Sequence, residues 1–343
     1  MVNEKKSING KKILLLAPSF FGYELKVKSK MEDMGALVDF YDERSVSSAA
    51  AKAILKFLPN LFIKRTNKYY DKILNENKGK KYDFIFVIKC EMLTGQILQR
   101  MKQDFEDAKF CLYLWDSISN IPGIESKFSY FDTILSFDRN DSNKFKRISF
   151  RPLFFLDEFR KDNDTNSLYE HKFDLCFLGT IHSDRYSIIK KLRKICNEHN
   201  VRFFTFQYLQ SKFVYYVFKI LKKEFRETRI TDFSFEKMNL EDITNIVNNS
   251  KVILDIEHPK QNGLTMRTIE MIGMKKKIMT TNKDIANYDF YDPTNIQIIS
   301  RENPDFSLDF FEREYQLLDA DIYEKYYIEN WITEILLSNE QVK

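Results

Sequence analysis

The chain has 343 residues, 43% of them hydrophobic and 30% charged, which suits two packed domains and excludes a disordered polyelectrolyte. Its 54 Lys and Arg nearly cancel its 50 Asp and Glu, and a formal charge of +4 argues against a dedicated nucleic-acid binder. Only nine glycines occur, none spaced G-x-G, and no G-x-x-x-x-G-K-[ST] run is present, so nicotinamide dehydrogenases and P-loop NTPases are disfavoured.

Apolar runs of strand length alternate with segments of helical period from the start. Ile13-Leu14-Leu15-Leu16-Ala17 leads to a helical stretch from Tyr23 to Met34 and then to a second strand, Leu37 to Tyr41. Phe84–Ile88, Phe110–Leu114, Thr133–Phe137 and Ile148–Phe150 follow. Near-continuous apolar strands are those of a parallel sheet covered by helices on both faces. A polar stretch from Lys161 to Lys172 interrupts the rhythm, which restarts with Phe173–Leu178, Val201–Phe206, Val252–Ile256, Lys277–Thr280 and Ile296–Ile299. Ser183 is placed to cap a helix burying Ile188, Ile189, Leu192 and Ile195, and Asn239 a helix burying Leu240, Ile243, Ile246 and Val247. The run Ile322–Leu337 reads as one aromatic-rich helix. Packing on its own domain would cover it, as would crossing back onto the first, and we expect the crossing. The expected fold class is therefore α/β with two Rossmann-like domains, 1–152 and 153–321, and a C-terminal helix in 322–343 returning to the first.

No Cys-x-x-Cys pair occurs among Cys90, Cys111, Cys176 and Cys196, and the four histidines include no H-x-x-x-H pair. Reduced, buried thiols and no metal site are the expectation. The apolar run after the charged start is too short for the signal peptide it would otherwise suggest, so none is expected, and no stretch nears the ~18 apolar residues of a membrane span. The chain is expected to be cytoplasmic, soluble or peripheral at the inner face of a membrane. Two stretches, Lys52–Arg65 and Lys212–Lys223, mix aromatics with Lys. That composition suits an interfacial helix on anionic lipid, or a helix that buries its apolar face and turns Lys outward.

The densest chemistry lies in Gly263-Leu264-Thr265-Met266-Arg267-Thr268-Ile269-Glu270-Met271-Ile272-Gly273, between two predicted strands. A helix starting at Gly263 would place Gly263, Arg267 and Glu270 on one face. Its first amides and dipole would meet an anion, Arg267 would add a charge-assisted bond, and Glu270, ~10 Å further on, would take a sugar diol. A nucleoside diphosphate has that length and chemistry. Equally, Arg267 and Glu270 read as an i, i+3 surface salt bridge and Gly273 as a helix C-cap.

The run Val252–Asp284, with its small-residue helix start and Arg-x-x-Glu, resembles the C-terminal domain of GT-B glycosyltransferases, closest to the CgeB-like branch of bacterial surface-polysaccharide and spore-surface proteins. Leu175-Cys176-Phe177-Leu178-Gly179-Thr180 with His182 and Arg185, and Asn248-Asn249-Ser250-Lys251 before Val252, are similar to two further motifs of that branch. The resemblance covers roughly 173–300, and the first domain by rhythm alone. It implies two domains facing a cleft, a nucleotide-sugar donor held mainly by the second, a saccharide or lipid-linked acceptor on the first, and no further cofactor. Gly179, Thr180, Arg185, Gly263, Leu264, Thr265 and Arg267 would then approach the diphosphate, and Glu270 the ribose. Many relatives carry E-x7-E; here Asn262 stands at the first position, which leaves inverting, retaining and inactive readings open.

Candidate bases for an acceptor hydroxyl sit at strand ends of the first domain, where open α/β sheets bind ligands. In order they are Asp116, beside Trp115, then Glu91, then Glu24; for each, capping the next helix is the alternative use. Two other functions remain: a non-catalytic nucleotide-binding scaffold, and a phosphotransferase of teichoic-acid type.

Overall fold

The computed structural model describes residues 7–44, 63–161, 171–259 and 261–338. The chain divides into two compact units: 1–153 together with 328–343, and 154–327.

The first unit holds a six-stranded sheet in the order β2-β1-β3-β4-β5-β6, formed by Lys12–Ala17 (β1), Leu37–Asp42 (β2), Phe84–Ile88 (β3), Lys109–Leu114 (β4), Thr133–Ser136 (β5) and Ser149–Phe150 (β6). Every pairing is parallel. β3 is buried at all five positions and β4 at five of six, as double coverage requires. Helices α1 (Tyr23–Asp33), α2 (Ile63–Glu76), α3 (Gly95–Asp104) and α4 (Arg139–Lys144) connect the strands. Thr94 caps α3 by accepting the Ile97 amide proton, and Asp138 caps α4 through Asn140. The aromatic and Lys stretch 52–65 lies outside the described residues except for its last three, which open α2.

The second unit repeats the plan with five parallel strands in the order β11-β10-β9-β7-β8: Phe173–Thr180 (β7), Phe203–Tyr208 (β8), Ser250–Asp255 (β9), Lys277–Thr280 (β10) and Ile296–Ile298 (β11). Its helices are α5 (Arg185–Glu198), α6 (Lys212–Leu221), α7 (Leu240–Asn248), α8 (Met266–Gly273), α9 (Asp309–Glu312) and α10 (Ala320–Lys325). Asn239 caps α7, its side-chain oxygen 2.8 Å from the Asp242 amide. α5 differs from expectation. Asp184 occupies the cap position, Ser183 has φ 50°, and Cys196 rather than Ile195 completes the fully buried face. All four cysteines are buried and unbridged. Among the described residues, no helix is long and apolar enough to cross a membrane.

The expected single helix over 322–337 is two. α10 ends at Lys325 and α11 spans Ile328–Leu337. The break has a backbone cause: the Phe155 amide donates to the Tyr326 carbonyl at 2.8 Å, and Phe155 forms a bridge with Tyr327. Those two tyrosines pair as a strand would, so the helix cannot run through them. The break is also where the two units divide, and α11 belongs to the first. It buries Ile328, Trp331, Ile332, Ile335 and Leu336. Trp331 packs edge-on to Tyr113 of β4, with ring centroids 4.8 Å apart, and lies 5.8 Å from Phe86 of β3. Lys109 closes the far end, its ammonium donating to the carbonyls of Leu336 and Ser338. The buried Arg151 side chain reaches Glu334 at 2.6 Å.

α11 is therefore a core element of the first unit rather than a tail. Trp331→Ala should cost about 3–5 kcal/mol, the usual loss for a fully buried large aromatic. Urea unfolding followed by circular dichroism measures it.

Candidate functional site

In both units the strand order reverses at one point, between β1 and β3 in the first and between β7 and β9 in the second. At such a point the flanking loops diverge from the carboxyl ends of the strands and leave a crevice for a ligand.

In the second unit, charged side chains tie this edge together. Asp255, the last residue of β9, is buried and accepts two hydroxyls, Thr265 Oγ1 at 2.7 Å and Thr268 Oγ1 at 2.5 Å. Thr265 is also the N-cap of α8, with φ −75° and ψ 160°, and takes the Thr268 amide at 3.2 Å. One carboxylate thus fixes where the helix begins. The start is Met266, not Gly263 as expected, because the Thr265 hydroxyl takes the Thr268 amide and Asp255 holds that hydroxyl in place. Gly263 and Leu264 are buried in the approach loop, and Gly263 is off the helical face shared by Arg267 and Glu270. Glu270 therefore sits ~6 Å along the axis from the first helical residue, rather than ~10 Å.

The Arg267–Glu270 pair is not a surface salt bridge. Its atoms are 2.9 Å apart, with the Glu270 side chain 5% exposed and that of Arg267 20% exposed. Burying an ion pair costs desolvation that an apolar pair would avoid, so a structural role alone gives little reason to keep it there. At the other end of α8, a Cβ on Gly273 would lie 2.6 Å from Phe155 Cγ and 2.8 Å from the Phe159 carbonyl oxygen. Close packing requires glycine here, and the cap position falls to Met274.

Gly179 and Thr180 end β7 beside this helix's strand. Arg185, the first residue of α5, donates from Nε to the Ile256 carbonyl at 2.6 Å and from Nη1 to the Thr180 carbonyl at 2.9 Å. It bridges the strand ends at the reversal point, a brace in addition to any anion it would meet. Burial pushes its pKa down, partly offset by Asp255 and Glu257. Sequence reasoning missed two partners of this network. Glu257, just past β9, accepts Thr281 Oγ1 at 2.5 Å and pairs with Arg301 at 2.8 Å, while Arg301 also holds Asp184 through both carboxylate oxygens at 2.7 and 2.8 Å. A carboxylate following one strand and an arginine following another was the available signal. His182 and His258, on adjacent loops, have ring centroids 5.4 Å apart. Burial first, then Arg185 and His258, lowers the His182 pKa from 6.5 to about 4, leaving a neutral imidazole at the site.

In the first unit the structure brings together two of the three expected carboxylates. Lys89 Nζ lies 3.4 Å from Glu91 Oε2 and 3.3 Å from Asp116 Oδ2, and Arg44 adds a second cation 3.5 Å from Glu91. Asp116 also accepts from Asn120 Nδ2 at 2.8 Å. Trp115 stands next to it within an aromatic group, its ring centroid 6.0 Å from Tyr23 and 6.2 Å from Phe20. Glu24 is set apart: it is buried, and Oε2 accepts the Phe20 amide at 2.9 Å, so it closes its own turn.

The loop carrying Lys89 and Glu91 is held in an uncommon conformation. Lys89 has φ 77° and Cys90 φ 60°, two consecutive left-handed residues of which neither is glycine. Three bonds support it: the Lys89 amide to the Tyr113 carbonyl at 2.9 Å, Lys127 Nζ to the Cys90 carbonyl at 3.0 Å, and the Met92 amide to Glu43 Oε1. Glu43, just past β2, is fully buried and did not stand out in the sequence. Burial dominates its titration and, with Glu91 adding to it against Met92, Lys127 and Arg44, raises its pKa from 4.5 to about 8.

No family model and no curated protein matches the sequence. Solved structures do match the fold. An alpha-glucosyltransferase in complex with UDP and a mismatch-containing DNA is 13% identical with a TM-score of 0.57, over 95% of this chain and 96% of that one. Anabaena HepE in complex with UDP-glucose is 11% identical with a TM-score of 0.58, over 96% and 99%. A putative UDP-N-acetylglucosamine 2-epimerase from Listeria monocytogenes is 11% identical with a TM-score of 0.50, over 96% and 95%. The two parallel α/β layers of this chain are those of the GT-B fold.

The buried Glu43 has a measurable consequence. Its folded pKa lies above its unfolded value, so the native state holds a proton that the unfolded state has released between pH 4.5 and about 8. Stability should fall as pH rises through that window, because the unfolded state gains the free energy of ionising this carboxyl while the native state keeps it protonated. Urea midpoints for Glu43→Gln should show a smaller fall over the same range. An unchanged pH dependence would mean that Glu43 is already ionised.

Proposed function

We propose that this chain is a nucleotide-sugar-dependent glycosyltransferase of the CgeB-like branch, building bacterial surface polysaccharide on a saccharide or lipid-linked saccharide acceptor. The observation that carries the reading is the α8 site. A strand-end carboxylate sets a helix N-terminus at the reversal point, and a half-buried Arg and a buried Glu follow on its first two turns. The leading amides and Arg267 suit a diphosphate. Glu270 suits the two hydroxyls of a ribose. The three sequence motifs and the shared fold with UDP-bound transferases support the same reading.

Chemically, fixed amide dipoles and a guanidinium stabilise the charge that develops on a departing diphosphate. Transfer with inversion also needs a base for the acceptor hydroxyl. We assign it to Asp116, with Glu91 second, because both carboxylates gather at Lys89 beside the Trp115 ring, on which a sugar could stack. Glu24 ranks last, since its carboxylate already serves the Phe20 amide. One observation favours a second reading, a nucleotide-binding scaffold without activity: position 262 of the α8 approach loop is an exposed Asn where many GT-B transferases carry an acid.

A thermal-shift panel of UDP, GDP, ADP, CDP and CMP tests the donor site. One diphosphate at 100 times its dissociation constant should stabilise the parent by about 2.7 kcal/mol, and Glu270→Ala should abolish that response. Preference for CMP would favour the phosphotransferase. With the matching nucleotide-sugar and a saccharide acceptor, diphosphate release distinguishes the enzyme from the scaffold. Asp116→Asn should slow that release about 100-fold or more while leaving diphosphate binding intact.

A further inference from the structure

Helix α6 has apolar side chains on two faces. One serves the core: Tyr215 is buried, and Val214 and Phe218 pack against the cluster that includes Ile181, Phe225 and Phe233. The other faces outward. Phe213 is 75% exposed, Tyr216 57%, Ile220 74% and Leu221 75%. The first three follow i, i+3, i+7 spacing and form one stripe, with Leu221 beside it. A helix that is apolar all round is normally buried, and large adjoining apolar groups left outside a fold mark a surface for something else.

The basic residues are arranged to match. Lys219 and Lys222 point inward: Lys219 Nζ donates to the Thr228 carbonyl at 2.7 Å, and Lys222 Nζ to the Ser183 carbonyl at 2.8 Å. They fasten the helix to its own unit and leave the outer stripe without charge. Lys212 at one end, and Lys223 and Arg226 at the other, are exposed. Residues 212–229 carry six basic and two acidic side chains, a net +4 equal to the formal charge of the whole chain. An apolar stripe bracketed by cations is the pattern of a helix lying in the plane of a membrane interface, where rings and aliphatic groups enter the headgroup layer and cations meet lipid phosphates. A neutral protein groove would account for the stripe but not for the cations.

We propose that α6 docks the protein on an anionic lipid surface, with Phe213, Tyr216, Ile220 and Leu221 entering the headgroup region and Lys212, Lys223 and Arg226 against the phosphates. The inference goes beyond the donor reading and needs no nucleotide, so either can fail without the other. It would bring the second unit to the surface where a lipid-linked acceptor resides.

Vesicle flotation of the full chain provides the test, with phosphatidylcholine vesicles alone or containing one-third phosphatidylglycerol. The parent should float with the anionic vesicles at least about tenfold more than with the neutral ones, and less as salt rises. Phe213→Asp combined with Ile220→Asp should lose that binding with an unchanged Tm, because both side chains are already in water. Lys212→Glu with Lys223→Glu should remove the preference for the anionic lipid. A parent that stays off anionic vesicles at low salt would overturn the proposal, as would a double-Asp variant that binds as well as the parent. So would a parent dimer that this variant splits, since a second copy would then own the face.

Discussion

The arrangement of the second unit depends on one carboxylate. Asp255 ends a buried strand and holds two threonine hydroxyls of the helix that follows the next loop, one of them the helix cap. The same hydroxyl that accepts the Thr268 amide donates to Asp255, so the strand end, the cap and the first turn form one hydrogen-bonded unit. A buried carboxylate accepting two hydroxyls is well satisfied and directional, and it leaves α8 little freedom in start or tilt. Whatever meets the leading amides, Arg267 and Glu270 meets groups already in place. Such preorganisation lowers the cost of ordering a site when ligand arrives.

Around that clasp, the charges at the sheet edge are paired rather than left for solvent. Arg185 spans the reversal point between two carbonyls, and Arg301 spans Asp184 and Glu257. The first unit handles the same topological position differently. There a neutral-leaning buried acid, Glu43, and a lysine, Lys127, hold two residues in left-handed geometry, and the loop they support presents Lys89 and Glu91 toward Asp116. One edge is a clasped network of paired charges, and the other a strained loop with mixed charge. Under the proposed function, the first would suit a diphosphate and the second an acceptor hydroxyl.

Much of the architecture was legible in the chain because parallel strands buried on both faces write themselves as apolar runs, and Phe84–Ile88 and Val252–Ile256 could hardly be anything else. The Asn239 cap was legible for the same local reason. Long-range effects were not. The start of α8 was misplaced by three residues because Gly263 is a plausible helix opener until Asp255 is known to pull on Thr265. The split at Tyr326 and Tyr327 was hidden because the backbone at Phe155, some 170 residues away, pairs with those tyrosines and draws them out of the helix. Glu43 gave no sign of burial, since an acid after a strand is ordinarily exposed. Of the site residues, Arg267 and Glu270 could be found by spacing, whereas the depth of their pair depends on what packs over it.

The most direct test is a crystal structure of the chain grown with UDP or whichever diphosphate the protein prefers. The account predicts the phosphates at the amides leading into α8 and at Arg267, with the ribose hydroxyls on the Glu270 carboxylate. A diphosphate bound elsewhere, or a ribose held by a different acid, would contradict it.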